Sequence, residues 1–194
     1  MNEKIRKMTF TAMLGAVATV LMFVDFSVPF MPGFIKMDIS ELPALIAGFA
    51  YGPLSGVCVC LIKNLINLLR TTTSGVGELC NFMLGVAFIL PSSIIYKKMK
   101  TRKGAVIGSV IGAVLMAVLS LPINYFITYP FYSNFMPIDV IISMYQEIIP
   151  SVDGLLACLI IFNVPFTLMK GVIDAIICFL IYKPLSPILH KKSQ

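Results

Sequence analysis

The sequence predicts an all-α integral membrane protein: six transmembrane helices in one bundle, a single membrane domain over residues 1–194. Three observations predict it. Apolar residues make up 58% of the chain and charged residues only 12%, against about 25% charged in an average soluble domain. Uncharged runs long enough to cross a bilayer recur along the chain. The few charges are also sorted by sign. Eleven of the fifteen basic residues fall in three short segments: Lys4, Arg6 and Lys7; Lys97, Lys98, Lys100, Arg102 and Lys103; and Lys183, Lys191 and Lys192. Asp25, Asp38, Glu41, Glu78, Asp139, Glu147 and Asp153 fall in the complementary segments. Lys and Arg are retained on the cytoplasmic side of membranes, so both termini and the 97–103 turn are expected inside. The hydrophobicity excludes disorder. The net charge of +6 is explained by topology rather than by nucleic acid, and the lipid bilayer is the expected surroundings.

Met8–Val24 holds 17 uncharged residues and predicts the first helix, 8–24, about 26 Å long. Its one A-x-A triplet, Ala16-Val17-Ala18, lies in mid-run, so the segment reads as an uncleaved span rather than a signal peptide. Residues 25–38 contain Pro29, Pro32 and Gly33 and predict an external loop. Phe26, Phe30, Met31, Phe34 and Met37 make that loop greasy, which suits a lid over a pocket or contact with the membrane surface.

Ser40 is expected to cap the next helix, with Glu41 in its first turn and Pro43 where no intrahelical N–H is needed. Gly52-Pro53 breaks the long apolar run Leu42–Leu69, because proline cannot continue a helix. Two helices follow, 39–51 and 53–69; the first is short for a crossing, and a re-entrant hairpin is the alternative. Residues 79–96 predict the fourth helix. Residues 104–128 predict the fifth, whose Gly104, Gly108 and Gly112 permit close helix approach. Segment 129–153 reads as an external loop with a surface helix over Asp139–Ile149. Residues 154–182 predict the sixth helix, kinked near Pro165.

The cysteines, Cys58, Cys60, Cys80, Cys158 and Cys178, form no C-x-x-C pair and read as small buried hydrophobes. With His190 as the single histidine, no zinc ligand set is apparent and no metal is expected.

Polar groups inside the membrane are costly unless paired or useful. Lys63, Asn64 and Asn67 form a polar stripe on the third helix, and Lys63 is either functional or snorkels to the outer surface. Lys170 and Asp174, one turn apart on the sixth helix, either neutralise each other or serve a ligand. Asn124, Glu78, Asn81, Asn163, Thr167 and Lys170 converge on the outer half of the bundle, beneath the 25–38 loop. No nucleophile–base pair or phosphate loop accompanies them. The set suits a mostly neutral ligand with an apolar body and several hydrogen-bonding edges, and no catalytic residues are expected.

Several stretches in order resemble one family. They are Pro32-Gly-Phe-Ile-Lys-Met-Asp-Ile-Ser-Glu-Leu-Pro, Tyr51-Gly-Pro-Leu-Ser-Gly, Lys63-Asn-Leu-Ile-Asn-Leu-Leu, Gly75-Val-Gly-Glu-Leu-Cys-Asn-Phe, Asn124-Tyr-Phe-Ile-Thr-Tyr-Pro and Pro165-Phe-Thr-Leu-Met-Lys-Gly. They resemble the riboflavin-specific S components, the substrate-binding membrane subunits, of energy-coupling factor (ECF) transporters. The resemblance implies a six-helix S component, itself no enzyme, that captures riboflavin from outside. It also implies partners: a transmembrane coupling protein and two ATP-binding-cassette ATPases, which hydrolyse ATP and drive release inward. No cofactor is implied; riboflavin, or its phosphate FMN, is cargo. Asn124 and Lys170 match the family's flavin-binding asparagine and lysine. The loop around Phe34, Lys36, Met37 and Asp38 matches its ligand-contacting loop. Ala12 and Ala16 match its coupling-protein contact on the first helix. Thr167 stands where the family has asparagine, and a hydroxyl cannot pair in a bidentate way. That departure keeps an S component for another vitamin or heterocycle as the alternative, with a stand-alone facilitator behind it.

Overall fold

A computed structural model describes residues 2–71 and 73–190, with side chains as far as residue 181. Lys191 and Lys192 of the third basic cluster lie outside the described residues. The described residues are helical and connecting segments apart from one minimal hairpin. Among the described residues five helices are long and apolar enough to cross a membrane: Glu3–Phe23, Pro53–Arg70, Val76–Met99, Arg102–Tyr132 and Leu155–Ile181.

Helix α1 (Glu3–Phe23) starts within the first basic cluster, where the Asn2 side chain accepts a hydrogen bond from the Lys4 amide at 3.2 Å. It is followed by the antiparallel pair β1 (Phe26–Ser27) and β2 (Lys36–Met37), with Phe26 opposite Met37. Strands of two residues are too short to show an alternating pattern, so this hairpin is invisible in the sequence. Its loop splits in two. Met31 and Ile35 pack inward against a cluster around Tyr145, whereas Phe26 and Phe30 point outward.

Helix α2 (Glu41–Tyr51) has 11 residues, about 16 Å of helix. Every residue from Glu41 to Phe49 is buried, because α2 packs against α1, α3 (Pro53–Asn67), α4 (Val76–Met99) and α9 (Val164–His190). A helix hydrophobic all round belongs in a core, and sheathing by longer neighbours removes the need for α2 to match the bilayer thickness. Gly52, at φ 96°, and Pro53 at the first position of α3 make the break expected from the sequence. Ser40, by contrast, makes no side-chain cap. Its hydroxyl is claimed by Lys63 at 2.6 Å, and its amide instead donates to Asp38 Oδ1 at 2.8 Å.

Helix α5 (Arg102–Ile123) lies along α4. A Cβ at Gly108 would come 2.7 Å from the Ser92 carbonyl oxygen, and one at Gly112 would collide with the Phe88 carbonyl. The four-residue glycine spacing therefore acts as expected, letting two backbones touch. Ser92 Oγ seals the contact by donating to the carbonyls of Phe88 and Gly108 at 2.6 and 3.1 Å.

After α5 the helix widens into a π-helical segment, Asn124–Thr128, then resumes as α6 (Tyr129–Tyr132). The last span repeats the device: α8 (Leu155–Cys158), a π segment Leu159–Asn163, then α9. The cause is local. Pro130 and Pro165 lack an amide hydrogen, and each ring crowds the carbonyl four residues back. Those carbonyls, of Phe126 and Ile161, lie inside the two π segments, where a wider turn absorbs the crowding. The kink expected at Pro165 is thus a π turn. Between these spans, α7 (Ile138–Gln146) lies on the surface with Ile141 and Tyr145 turned inward. All five cysteines are free; Cys58 is half-buried and the other four buried.

Two cores result. Leu42, Leu45, Phe49, Val59, Phe88 and Ile89 fill the bundle around α2. Tyr129, Tyr145, Val152, Leu159 and Phe162 fill a smaller cluster under α7. Val17, Val20, Val110, Val118, Ile176 and Leu180 stay exposed along the outer helix faces, as expected where lipid replaces water.

Candidate binding site

Three neighbouring cavities with shared walls lie between the hairpin and the helix ends. The innermost, about 240 Å³, is lined by Lys36, Asn81, Asn124, Thr167 and Lys170, with Phe166 and Tyr132 among its apolar walls. The second, about 520 Å³, shares Lys36, Asn81 and Tyr132 and adds Phe34, Asp38 and Glu78. The third, about 480 Å³, is apolar, with Met31, Phe34, Phe135 and Met144 in its walls, and it joins the second through Phe34, Thr73 and Tyr132. The structure therefore brings Asn124, Thr167, Lys170, Lys36 and Asn81 together in one chamber, although they come from four different parts of the chain.

Local backbone explains the placement. Asn124 opens the first π segment and Asn163 closes the second. Asn163, expected among the converging polar groups, is taken up by the protein itself. Tyr145 donates to Asn163 Oδ1 at 2.8 Å, and Asn163 Nδ2 donates to the Tyr129 hydroxyl at 3.4 Å. Tyr129 and Tyr145 are hydrogen-bonded to each other, closing a buried triad. Burial, followed by the neighbouring Tyr129, pushes the Tyr145 phenol far above its ordinary value, so it stays neutral. The ring of Phe34 meets Tyr145 edge-on at 5.7 Å and ties the hairpin loop to this triad.

The charges pair differently from the sequence expectation. Lys170 does not neutralise Asp174. Its Nζ donates to Asp38 Oδ2 at 2.8 Å, 132 residues away in sequence. A lysine preceding its carboxylate by four residues is the poorer helical orientation, whereas the hairpin delivers Asp38 directly to the ammonium. Asp174 is left wholly buried, with no hydrogen-bond partner on either oxygen among the described residues. Asp38 has both oxygens engaged, by Ser40 N and Lys170 Nζ. Burial would raise its carboxyl, but the nearby charges of Lys170 and then Lys63 outweigh that and hold it well below the ordinary carboxylate range.

Lys63 does not snorkel. It is wholly buried, with Nζ 2.5 Å from Glu41 Oε1 and 2.6 Å from Ser40 Oγ. The stripe expected on α3 therefore separates: Lys63 goes to Glu41, Asn64 Nδ2 to the Cys60 carbonyl at 2.8 Å, and Asn67 Nδ2 to Glu78 Oε1 at 3.1 Å. Sequence reasoning missed Glu41, placing it as a first-turn acid. The signal was available, since Lys63 is the single charge between Leu42 and Leu69 and needed a counter-ion.

Glu78 accepts from Asn67, Thr71 and Thr73, the last two at 3.0 and 3.2 Å, so it organises the loop before α4 as well as lining the second cavity. Met37 is buried, and Phe34 and Lys36 are exposed at the cavity mouth, Lys36 paired with Asp25 at 3.3 Å. On α1, Ala12 and Ala16 face outward, while Thr11, Gly15, Ala18 and Thr19 face the bundle.

Comparison with known proteins bears on this arrangement. A family model described as the substrate-specific component of ECF transporters matches residues 6–182. The riboflavin transporter RibU of Staphylococcus aureus (strain TCH60) is 34% identical over 93% of this chain and 90% of its own length. The riboflavin transporter FmnP of Bacillus subtilis (strain 168) is 31% identical over 97% of this chain and 96% of its own. A solved structure of the S component of a bacterial ECF transporter superposes with a TM-score of 0.77 at 30% identity, covering 97% of this chain and 99% of that one.

Proposed function

The chain belongs to the substrate-specific components of ECF transporters, and from that membership we propose that it captures riboflavin at the outer face of the membrane and delivers it inward. It is a transport subunit. The observation that carries the reading is the convergence of Asn124, Thr167, Lys170, Lys36 and Asn81 on one chamber. Riboflavin has a flat apolar tricycle, a pyrimidine-dione edge and a polyol tail. The amide of Asn124 matches the alternating donors and acceptors of the dione edge. Thr167 and Lys170 face the polyol, with Lys170 keeping donors free after its bond to Asp38. Asn81 adds a further amide from α4. Phe34 and Lys36 close the mouth, and the aromatic and methionine walls take the tricycle. Met37, Asp38 and Glu78 hold this shell in shape.

The five long helices and the sheathed α2 make six passes, with both termini and the 97–103 turn in the cytoplasm. The basic clusters flanking the spans support that orientation. Transport then needs an ECF coupling protein and two ATP-binding-cassette ATPases, which supply the energy. The outward-facing Ala12 and Ala16 of α1 support a close helix contact with the coupling protein.

Purification in detergent from riboflavin-fed cells tests the reading. The protein is expected to emerge yellow, with flavin fluorescence and a quenchable titration, and its riboflavin uptake to stop when the ATPases are deleted. A purified, folded protein that neither retains nor rebinds flavin would overturn it.

A further inference from the structure

The charges around the cavities balance. Lys36, Arg70 and Lys170 line the inner and middle chambers, and so do Asp25, Asp38 and Glu78. Each cation is committed. Lys36 pairs with Asp25, Lys170 pairs with Asp38, and the Arg70 guanidinium lies 4.5 Å from the centre of the Phe23 ring. Of these, only the Lys170–Asp38 pair is buried deep in the bundle, where solvent screening is weakest. One turn along α9 stands Asp174, with both oxygens unpartnered among the described residues. Lys170, the buried cation of the inner chamber, is thus neutralised by Asp38.

Resting on the riboflavin reading above, we propose that Asp38 is a specificity-determining positioning residue: by pairing with Lys170 it makes the chamber select an uncharged flavin and reject the flavin phosphate. A phosphate group carries a charge of about −1.5 to −2 at neutral pH. Attached to the polyol tail, it would have to break the Lys170–Asp38 bond or sit beside the Asp38 carboxylate. Both are unfavourable in a weakly screened interior. A hydroxyl pays neither penalty, because it accepts from a free Lys170 N–H without displacing Asp38. Discrimination therefore comes from a repulsive element placed against the wrong ligand. Removing the Asp38 charge should turn Lys170 from a neutralised donor into an anion site.

The test is fluorescence titration of the purified full-length protein with riboflavin and with FMN, read as the ratio of the two dissociation constants. The wild type should favour riboflavin. Asp38→Asn should lower the FMN-to-riboflavin ratio by at least about tenfold, Asp38→Glu should restore it, and Lys170→Met, which leaves Asp38 unneutralised, should raise it. The Lys170→Met arm stands by itself if Asp38→Asn fails to fold. A merely structural Asp38 would weaken both ligands in parallel and leave the ratio unchanged, which overturns the proposal while leaving the riboflavin reading standing. A folded wild type that binds neither flavin overturns both the proposal and the reading it rests on.

Discussion

Lys63 Nζ lies 2.5 Å from Glu41 Oε1, and both side chains are wholly buried where α2 and α3 meet. Ser40 Oγ at 2.6 Å and Asn81 Oδ1 at 3.5 Å complete the ammonium's surroundings. The pair locks the short central helix to its neighbour beneath the binding chamber. Removing one partner of such a pair typically costs about 3–5 kcal/mol, because a charge is stranded in the interior. Lys63→Met and Glu41→Gln should each lower the thermal unfolding temperature in detergent sharply. The double variant Lys63→Met/Glu41→Gln should lose less than the sum of the two. Additive losses would show that the two charges are not coupled.

Asn124 and Lys170 line the chamber proposed to take riboflavin. Asn124→Ala and Lys170→Ala are each expected to weaken riboflavin binding at least tenfold, about 1.4 kcal/mol. Fluorescence-quenching titration checks this, and unchanged affinity in both would remove them from the site.

Ala12 and Ala16 face outward from α1, away from the chamber. Ala12→Trp should therefore leave riboflavin affinity unaltered while abolishing uptake with the coupling protein and ATPases present. Uptake at the wild-type rate would exclude this face as the docking surface.

Gly108 faces the backbone of α4, where an added Cβ would lie 2.7 Å from the Ser92 carbonyl oxygen. A backbone atom cannot swing aside, so Gly108→Val should destabilise the fold by about 1–3 kcal/mol, the usual cost of overpacking. Thermal unfolding monitored by circular dichroism reads the loss.

Asp38 predicts a pH response with a definite sign. Its carboxyl is held below the ordinary value of about 3.9. A group depressed in the folded state contributes its full stabilisation above the unfolded value and loses it as pH falls through the folded value. The difference in unfolding temperature between wild type and Asp38→Asn should stay constant from about pH 7 to pH 5 and shrink only in strong acid. A difference that closes near neutrality would mean that Asp38 is not held ionised by Lys170.

Local chemistry fixes a first layer of this protein. The uncharged runs and the scarcity of charge dictate helices in lipid. Gly52-Pro53 dictates a break whatever surrounds it, and Gly108 and Gly112 dictate a close helix contact without saying with which helix. Asn124, Thr167 and Lys170 could be singled out because a polar group in an apolar run needs a reason to be there. How those needs are met depends on which segments fold against each other. Lys170 had a carboxylate one turn away in Asp174 and took Asp38 instead, because the hairpin folds down onto it. Asn163 looked as available as Asn124, and the two tyrosines Tyr129 and Tyr145 consumed it. The physical reason is that hydrophobic periodicity and backbone propensity act between near neighbours in the chain. A buried charge or amide accepts any complementary group, and the packing of distant segments chooses which one arrives.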